Sequence, residues 1–217
     1  MCPGVSSRPD IAVATKELSR HLNHPGEVHV QAGLRVLRYL KGTASYALTY
    51  KRDDAKVHFY GHADADWAGE DETAKSTTGF RFSGGSGLLS WKASTQPIVT
   101  HSSTEAELVA LDSATRELEF LRQVALDFGL KVELPVPMLQ DNLSTIRIVE
   151  SGRFSSRTRH LNVRYHYTHD LVKDGVVRIQ KIDTKFIPSD ALTKALGSKD
   201  HERHALVLLG MAAIEGV

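Results

Sequence analysis

The sequence has a single cysteine, no long apolar run and almost no net charge. One cysteine, Cys2, excludes an internal disulfide and a cysteine-based zinc site. The lack of an apolar run of transmembrane length, and of a signal-peptide core near the N-terminus, predicts a soluble intracellular protein with no membrane partner. A formal net charge of +1 gives no overall reason to expect nucleic acid, so such binding would have to come from local patches.

Motifs for nucleotide cofactors are also missing. The GGSG at 84–87 lies between two strand-like runs, not between a strand and a helix, so it is neither a phosphate loop nor a dinucleotide fingerprint. The paired Asp53 and Asp54 lie in a polar segment without the flanking apolar strands that a polymerase hairpin would have. The length of 217 residues suits one domain of ordinary size plus an appendage.

The most informative feature that is present is a long helical stretch at 102–130. Its apolar residues recur at helical spacing: Leu111, Ala114, Leu118, Leu121, Ala125 and Phe128. One turn earlier this stripe reaches Glu107, so a carboxylate is predicted to face the core, which is costly unless a basic partner, a cation or a proton neutralises it. Glu105 has another explanation, because Ser102 and Glu105 have capping-box spacing at the start of the helix.

The remaining patterns predict an α/β fold. Residues 1–50 contain two helical runs, an N-terminal helical hairpin that either packs on the remainder or belongs to a larger neighbour. Short β-prone runs within 47–101 predict an antiparallel meander of about three strands, with a glycine hairpin turn at 84–87. Strands and helices then alternate through a main domain at 51–197, and 198–217 forms a C-terminal helical tail.

Four carboxylates lie where this fold would bring them together. Asp141 ends a strand reached by a helical crossover, which predicts parallel pairing with its neighbour. Asp64 follows the first main strand, and ligands of α/β sheets gather beyond such strand ends. Glu107 would come from the long helix and Asp190 from the first turn of a late helix capped by Ser189. Converging acids repel one another, and divalent cations relieve this; two Mg²⁺ ions suit in-line displacement at phosphate.

Each acid except Glu107 also has an ordinary structural interpretation. Asp64 or Asp66 alone suits a turn or a cap, Asp141 a strand-end turn, and Asp190 the N-terminus of a helix. Asp66 is the alternative to Asp64 as the first acid of the set and is interpreted as turn-forming.

A basic segment follows the Asp141 strand and its short helix. Its residues would suit a phosphate backbone, although a solvated basic face explains any one of them equally well: Arg153, Arg157, Arg159, His160 and Arg164. Trp67 and Trp91 could stack on nucleotides, but Trp91 lies inside a strand and is interpreted as a core residue.

Five ordered phrases across residues 57–197 resemble the ribonuclease H domain of copia-type retrotransposon Pol polyproteins. They are GHADADWAG with KSTTGF, LSWKASTQPIVTHSSTEAELVAL, QDNLSTI, SRTRHLNVRYHY and IPSDALTKAL. The N-terminal RPDIAVATKELSRHLNHPGEVHVQAGLRVLRYLKGT resembles the end of the preceding reverse transcriptase. The resemblance implies a ribonuclease H-like fold, with a five-stranded mixed sheet flanked by helices.

The resemblance further implies a metal-dependent endonuclease that hydrolyses the RNA strand of RNA/DNA hybrids during reverse transcription. The metal-binding acids of the family fall on Asp64, Glu107, Asp141 and Asp190, with two Mg²⁺ ions, or Mn²⁺ as a substitute. The implied partners are the RNA/DNA hybrid and the polymerase part of the parent polyprotein, in a cytoplasmic retrotransposon particle and in the nucleus. The alternatives are an inactive nucleic-acid-binding remnant and another nuclease or integrase of the same fold.

The sequence departs from the family pattern at four positions. It has His62 where tyrosine is common, Gln140 for cysteine, Asn162 for aspartate and Ser189 for alanine. None of these removes an acid. The loop histidine of many cellular ribonucleases H has no counterpart before Asp190.

Overall fold

The structure is a computed structural model that describes residues 3–51, 58–70, 72–85, 87–153, 162–183 and 189–212. The helices are α1 (Pro3–Ser6), α2 (Ala12–Arg20), α3 (Glu27–Gly42), α4 (Ser103–Asp127), α5 (Leu143–Ser151), α6 (Asn162–Lys173), α7 (Asp190–Thr193) and α8 (Ser198–Leu208), with a short 3-10 helix at Pro9–Ile11. The strands are β1 (Phe59–Asp66), β2 (Thr77–Gly84), β3 (Gly87–Thr95), β4 (Val136–Gln140) and β5 (Val177–Lys181).

The five strands form one mixed sheet in the order β3-β2-β1-β4-β5. β1, β2 and β3 pair antiparallel as the predicted meander, while β1 pairs parallel with β4 and β4 parallel with β5. The five-stranded mixed sheet flanked by helices is therefore confirmed. The parallel pairing of β1 with β4 places the carboxyl ends of both strands at one edge of the sheet.

The predicted glycine turn joins β2 to β3. Gly85 has φ of +60°, a conformation that glycine adopts without steric cost. Two of the β-prone runs, at 47–50 and 97–100, lie outside the strands. At the first of them the backbone N–H of Thr49 donates instead to the carbonyl of Leu209, at 2.8 Å, so this run is held by the C-terminal end of α8.

Helix α4 covers one face of the sheet and supplies much of the core. Leu111, Ala114 and Leu118 are fully buried and belong to one cluster with Phe82 and Met138 from the strands. The predicted apolar face is thus confirmed along most of its length. The last member, Phe128, was predicted wrongly: it is 78% exposed, because α4 ends at Asp127 and the chain turns away at Phe128.

The start of α4 is capped by side chains. Ser102 Oγ accepts the N–H of Glu105 at 3.2 Å, as predicted. The carboxylate of Glu105 reaches back to the N–H of His101 at 2.7 Å, one residue before the predicted target. Glu105 is therefore used by the helix start, and this cap fixes the turn from which Glu107 projects.

The opposite face of the sheet carries α7, α8 and the beginning of the chain. A second cluster unites Ala12, Leu88, Leu192 and Leu208, which come from α2, β3, α7 and α8. Gly79 in β2 makes the close approach of α7 feasible, since a Cβ there would lie 2.5 Å from Thr193 Cγ2. The close contact lets α7 lie directly against the centre of the sheet.

The N-terminal helices pack unevenly. α2 and the 3-10 helix pack against the sheet, α7 and α8, whereas α3 has no buried residue. Val28, Val30, Leu34 and Leu37 of α3 are all exposed. Both predicted helices are present, and the first packs closely on the remainder of the chain. α3 contacts the remainder near its C-terminal end, where the hydroxyl of Tyr39 donates to Asp10 at 2.8 Å and its ring lies edge-on to that of His201.

Several predictions fall on residues that the structure places differently or does not describe. Asp64 and Asp66 lie inside β1, not after it, because the strand extends to Asp66. Ser189 precedes α7 without a capping hydrogen bond, since its backbone is already helical. Helical spacing after the basic segment also predicts that Leu161 and Tyr165 face inward, but Leu161 and the side chain of Tyr165 lie outside the described residues. In the described part of the chain, no helix combines the length and hydropathy needed to span a membrane.

Replacing Leu118 with alanine is expected to lower the free energy of unfolding by about 2–5 kcal/mol, because the side chain is fully buried and its loss leaves a cavity. Phe120 on the same helix is 62% exposed, so Phe120→Ala is expected to change that free energy by less than about 0.5 kcal/mol. Urea unfolding followed by circular dichroism measures both changes. Equal losses in the two variants would contradict this orientation of α4.

Candidate metal centre

Three of the four predicted acids converge at the carboxyl-end edge of the sheet. Oxygen atoms of Asp64, Glu107 and Asp141 lie within 4.8 Å of one another. Asp64 comes from β1, Glu107 from the second turn of α4, and Asp141 from the residue after β4. The carboxylates at the ends of β1 and β4 therefore lie beside the buried carboxylate of α4, as predicted.

Burial makes this cluster electrostatically unfavourable when all its members are ionised. Glu107 is only 6% exposed, and burial raises its pKa well above the usual value, with further contributions from the charges of Asp64 and Asp141. Burial likewise raises the pKa of Asp64 to about 7, helped by the charge of Asp190 and opposed by a hydrogen bond from Thr193. Such carboxylates bind either protons or cations.

The fourth predicted acid, Asp190, lies on the α7 side of the cluster. Its charge is the second-largest cause, after burial, of the raised pKa of Asp64. Its own Oδ1 lies 3.1 Å from Nζ of Lys194, one helical turn further along. Asp190 is thus close enough to act on Asp64, but it carries an ion-pair partner of its own.

Two further residues hold the acids in position. Thr193 Oγ1 donates to Oδ2 of Asp64 at 2.6 Å. Gln140 is fully buried, and its Nε2 donates to Oε2 of Glu107 at 3.2 Å. Oε1 of Gln140 accepts the backbone N–H groups of Asp141, at 2.7 Å, and Asn142, at 2.9 Å. One amide side chain therefore links the acid of α4 to the turn that carries Asp141.

Thr193, Lys194 and Gln140 were not among the predicted site residues. Thr193 and Lys194 follow Asp190 by three and four residues, a spacing that places side chains on one face of a helix, so this signal could have indicated them. Gln140 could have been noticed as a polar residue inside a buried apolar strand. Its hydrogen bond to Glu107 spans 33 residues, and no local pattern reveals it.

Asp66 lies on the same side of β1 as Asp64 but at the turn. A Cβ on Gly69 would come within 2.2 Å of its Oδ2, so the carboxylate packs against the residues that follow the strand. Burial raises the pKa of Asp66, while the charges of Lys194 and Lys16 lower it. Asp66 is the last residue of β1 and contacts the turn that follows, whereas Asp64 is the residue that meets Glu107 and Asp141.

Most of the predicted basic segment cannot be placed. Arg157, Arg159 and His160 lie outside the described residues, and so does the side chain of Arg164. Arg153 is described and exposed, just after α5. Of the two tryptophans, Trp67 is about half exposed, with its indole N–H donating to the carbonyl of Thr100 at 3.2 Å. Trp91 packs against the second apolar cluster, as predicted.

The donor set suits a hard divalent cation. Mg²⁺ and Mn²⁺ prefer oxygen ligands, and the three convergent groups offer carboxylate oxygens only. Burial raises the pKa values of Asp64 and Glu107, so positive charge at the cluster would favour their ionised forms. The residues present therefore fit the predicted metal.

In the metal-free protein, the contribution of Asp64 to the free energy of unfolding should fall as pH rises. The pKa of Asp64 is about 7 in the folded state and 3.8 as its ordinary value, so between these values the fold retains a proton that the unfolded chain has released. The stability that comes from this retained proton is present in full below the ordinary pKa of 3.8, and it is lost as pH rises through the folded-state pKa of about 7. We expect Asp64→Asn to be more stable, relative to the unsubstituted protein, at pH 8 than at pH 5.

Urea unfolding in the presence of a chelator measures this difference. Comparison with the unsubstituted protein is needed because other acids act in the opposite sense; Glu70, for example, has a lowered pKa in the fold. Asp174→Asn on the exposed turn after α6 is the matched control. If the free energy of unfolding depends on pH in the same way in Asp64→Asn, the control and the unsubstituted protein, the repulsion inferred among the clustered acids is refuted.

Comparison with known proteins identifies sequences that are similar to this chain. No protein-family model matches it. It is 36% identical over 192 residues to the retrovirus-related Pol polyprotein from transposon TNT 1-94 of Nicotiana tabacum, covering 88% of the chain and 14% of that protein. It is 32% identical over 190 residues to the retrovirus-related Pol polyprotein from transposon RE1 of Arabidopsis thaliana, covering 88% and 13%.

Among solved structures, the chain is similar to LC11-RNase H1 in complex with an RNA/DNA hybrid, with a TM-score of 0.46 and 15% identity over 62% of this chain and 93% of that one. The chain spans only 13 to 14% of the length of the two curated polyproteins above. A match over 88% of the chain nevertheless includes the convergent acids at 64, 107 and 141, which lie well inside the sequence. Over 88% of its length, the chain is thus a homologue of the retrovirus-related Pol polyproteins of copia-type transposons.

Proposed function

We propose that the chain is a metal-dependent endonuclease that hydrolyses the RNA strand of RNA/DNA hybrids, acting as the ribonuclease H part of a retrotransposon Pol polyprotein. The observation that carries this proposal is the convergence of Asp64, Glu107 and Asp141 within 4.8 Å, with raised pKa values for the two most buried of them. The relationship to Pol polyproteins supports the choice of a nucleic acid as substrate.

Asp64, Glu107, Asp141 and Asp190 are the residues that would hold two Mg²⁺ ions, or Mn²⁺ in their place. When bound, the cations supply an activated water and charge stabilisation at the scissile phosphate. The protein supplies fixed ligands: Thr193 holds Asp64, and Gln140 holds Glu107. Fixed ligands reduce the reorganisation needed when charge develops in the transition state.

Substrate binding is proposed for the basic segment that follows α5 and for Trp67, directly after β1. Arg153 and the basic residues Arg157, Arg159, His160 and Arg164 would contact phosphates, and the exposed face of Trp67 would stack on a nucleotide. Recognition would depend on the backbone shape and 2′-hydroxyl groups of the hybrid, because such contacts carry no base sequence.

The parent polyprotein provides the second proposed partner. We assign residues 1–50 to the C-terminal end of a reverse transcriptase, 51–197 to the nuclease domain and 198–217 to a helical tail. The apolar residues of α3 support this assignment, since Val30, Leu34 and Leu37 lie one helical turn apart and are exposed. The polymerase part would cover them. The proposed location is a cytoplasmic retrotransposon particle, and the nucleus.

Single replacements of the convergent acids are expected to abolish cleavage of a labelled RNA/DNA hybrid in the presence of Mg²⁺. Asp64→Asn, Glu107→Gln and Asp141→Asn should each reduce the rate about a hundredfold or more, because several kcal/mol of charge stabilisation are lost. Glu150→Gln, on the exposed face of α5, is the control for charge removal and should retain the rate. Circular dichroism checks that each variant is folded.

Undiminished cleavage by any of the three variants would refute the site. A purified chain that binds the hybrid without cutting it, at any Mg²⁺ or Mn²⁺ concentration, would favour the inactive remnant instead. Cleavage of duplex DNA in preference to the hybrid would favour another nuclease or integrase of the same fold. A gel assay with the hybrid and the duplex DNA in parallel separates these outcomes.

A further inference from the structure

Lys194 places a positive charge beside the acidic cluster. Its Nζ lies 3.1 Å from Oδ1 of Asp190. Burial lowers the pKa of Lys194, but the charges of Asp190, Asp64 and Asp66 outweigh this effect and raise the pKa above its usual value. In return, the ammonium group lowers the pKa values of Asp64 and Asp66. One ammonium group thus acts on three carboxylates.

The geometry of α7 accounts for this arrangement. Asp190 is the first residue of α7, and Lys194 is the residue that follows the helix. The backbone N–H of Lys194 donates to the carbonyl of Asp190 at 3.2 Å, so this single turn brings the two residues together. Between them Thr193 donates to Asp64, so the turn is fixed against β1 on its inner side. The side chain of Lys194 remains 42% exposed, and its flexible stem allows the ammonium group to leave Asp190 for solvent without moving the backbone.

We propose that Lys194 is a positioning residue that serves as the resident counter-cation of Asp190 and is displaced when a divalent cation takes that carboxylate. This inference rests on the proposed function and concerns the regulation of the same site. An ammonium group and a divalent cation repel each other strongly at neighbouring positions on one carboxylate. Binding of the cation to Asp190 therefore includes the cost of breaking the ion pair with Lys194.

The consequence is that the two sides of the site differ in cation affinity. Asp64, Glu107 and Asp141 meet directly and attract a cation with their full charge. Asp190 is already partly neutralised. The cation that needs Asp190 binds more weakly and fills the site only at higher concentration, so Lys194 sets the cation concentration at which the whole site is assembled.

Calorimetric titration of the intact chain with Mg²⁺, and separately with Mn²⁺, tests this competition without nucleic acid. Lys194→Met removes the charge and keeps the length of the side chain. We therefore expect the dissociation constant of the more weakly bound cation to fall by about tenfold, a change between those caused by removing an exposed and a buried ion pair. Lys194→Arg should restore the original value. Lys199→Met, an exposed lysine in α8, should leave it unchanged.

A double-substitution cycle identifies Asp190 as the point of competition. In an Asp190→Asn background the ion pair is already absent, so Lys194→Met should tighten cation binding clearly less than it does when Asp190 is present. An equal effect in both backgrounds, or no effect in either, would overturn the inference. If Lys194→Met does not fold, Lys194→Gln takes its place in every arm, and folding is checked by circular dichroism.

Failure of this inference is distinguishable from failure of the proposed function. Tighter cation binding by Lys194→Met together with no hybrid cleavage by the unsubstituted chain would support the competition and reject the nuclease. Hybrid cleavage by the unsubstituted chain, with unchanged cation binding in Lys194→Met, would support the nuclease and reject the competition. Absence of measurable binding in both the unsubstituted chain and Lys194→Met would overturn the competition.

Discussion

Mutual repulsion among buried carboxylates is the constraint on which the candidate site depends. Asp64, Glu107 and Asp141 come from three separate elements, and the fold holds their oxygens within 4.8 Å. Burial deprives Asp64 and Glu107 of water and, together with the charge of the partly buried Asp141 beside them, raises their pKa values, so positive charge at the cluster would favour their ionised forms. The apolar core beneath α4 offsets the free-energy cost of burying these acids. The packing of α4 against the strands fixes Glu107 whether or not the charges are neutralised.

The groups around the acids reduce this repulsion in different ways. Gln140 and Thr193 donate hydrogen bonds, which favour the ionised forms of Glu107 and Asp64 and fix their orientation. Lys194 acts through its charge and is partly exposed, so it can leave. Asp64 and Glu107 are thus held by buried hydrogen bonds, whereas the ion pair between Lys194 and Asp190 lies near solvent and can open. This asymmetry follows from where each donor lies in the fold.

Much of the fold and the centre of the site could be predicted from local patterns. Helical periodicity indicated that Glu107 faces the core, and the crossover rule indicated that β4 pairs parallel with the strand of Asp64. The end of α4 was misjudged, because Phe128 continues the apolar spacing although the helix has already ended. The contacts of Gln140 and Thr193 could not be predicted, since their partners lie 33 and 129 residues away and depend on how β4 and α7 meet α4 and β1.

The position of α7 depends in turn on both ends of the chain. A helix of four residues cannot hold itself in place, and Leu192 is fixed by a cluster with Ala12 from the N-terminal region and Leu208 from α8. Nε2 of His201 and the carbonyl of Asp10 lie 2.8 Å apart, which joins α8 to the 3-10 helix. The segment that resembles the end of a reverse transcriptase therefore stabilises the helix that delivers Asp190. Part of that segment supports the acidic site, while the exposed face of α3 points away from any described neighbour.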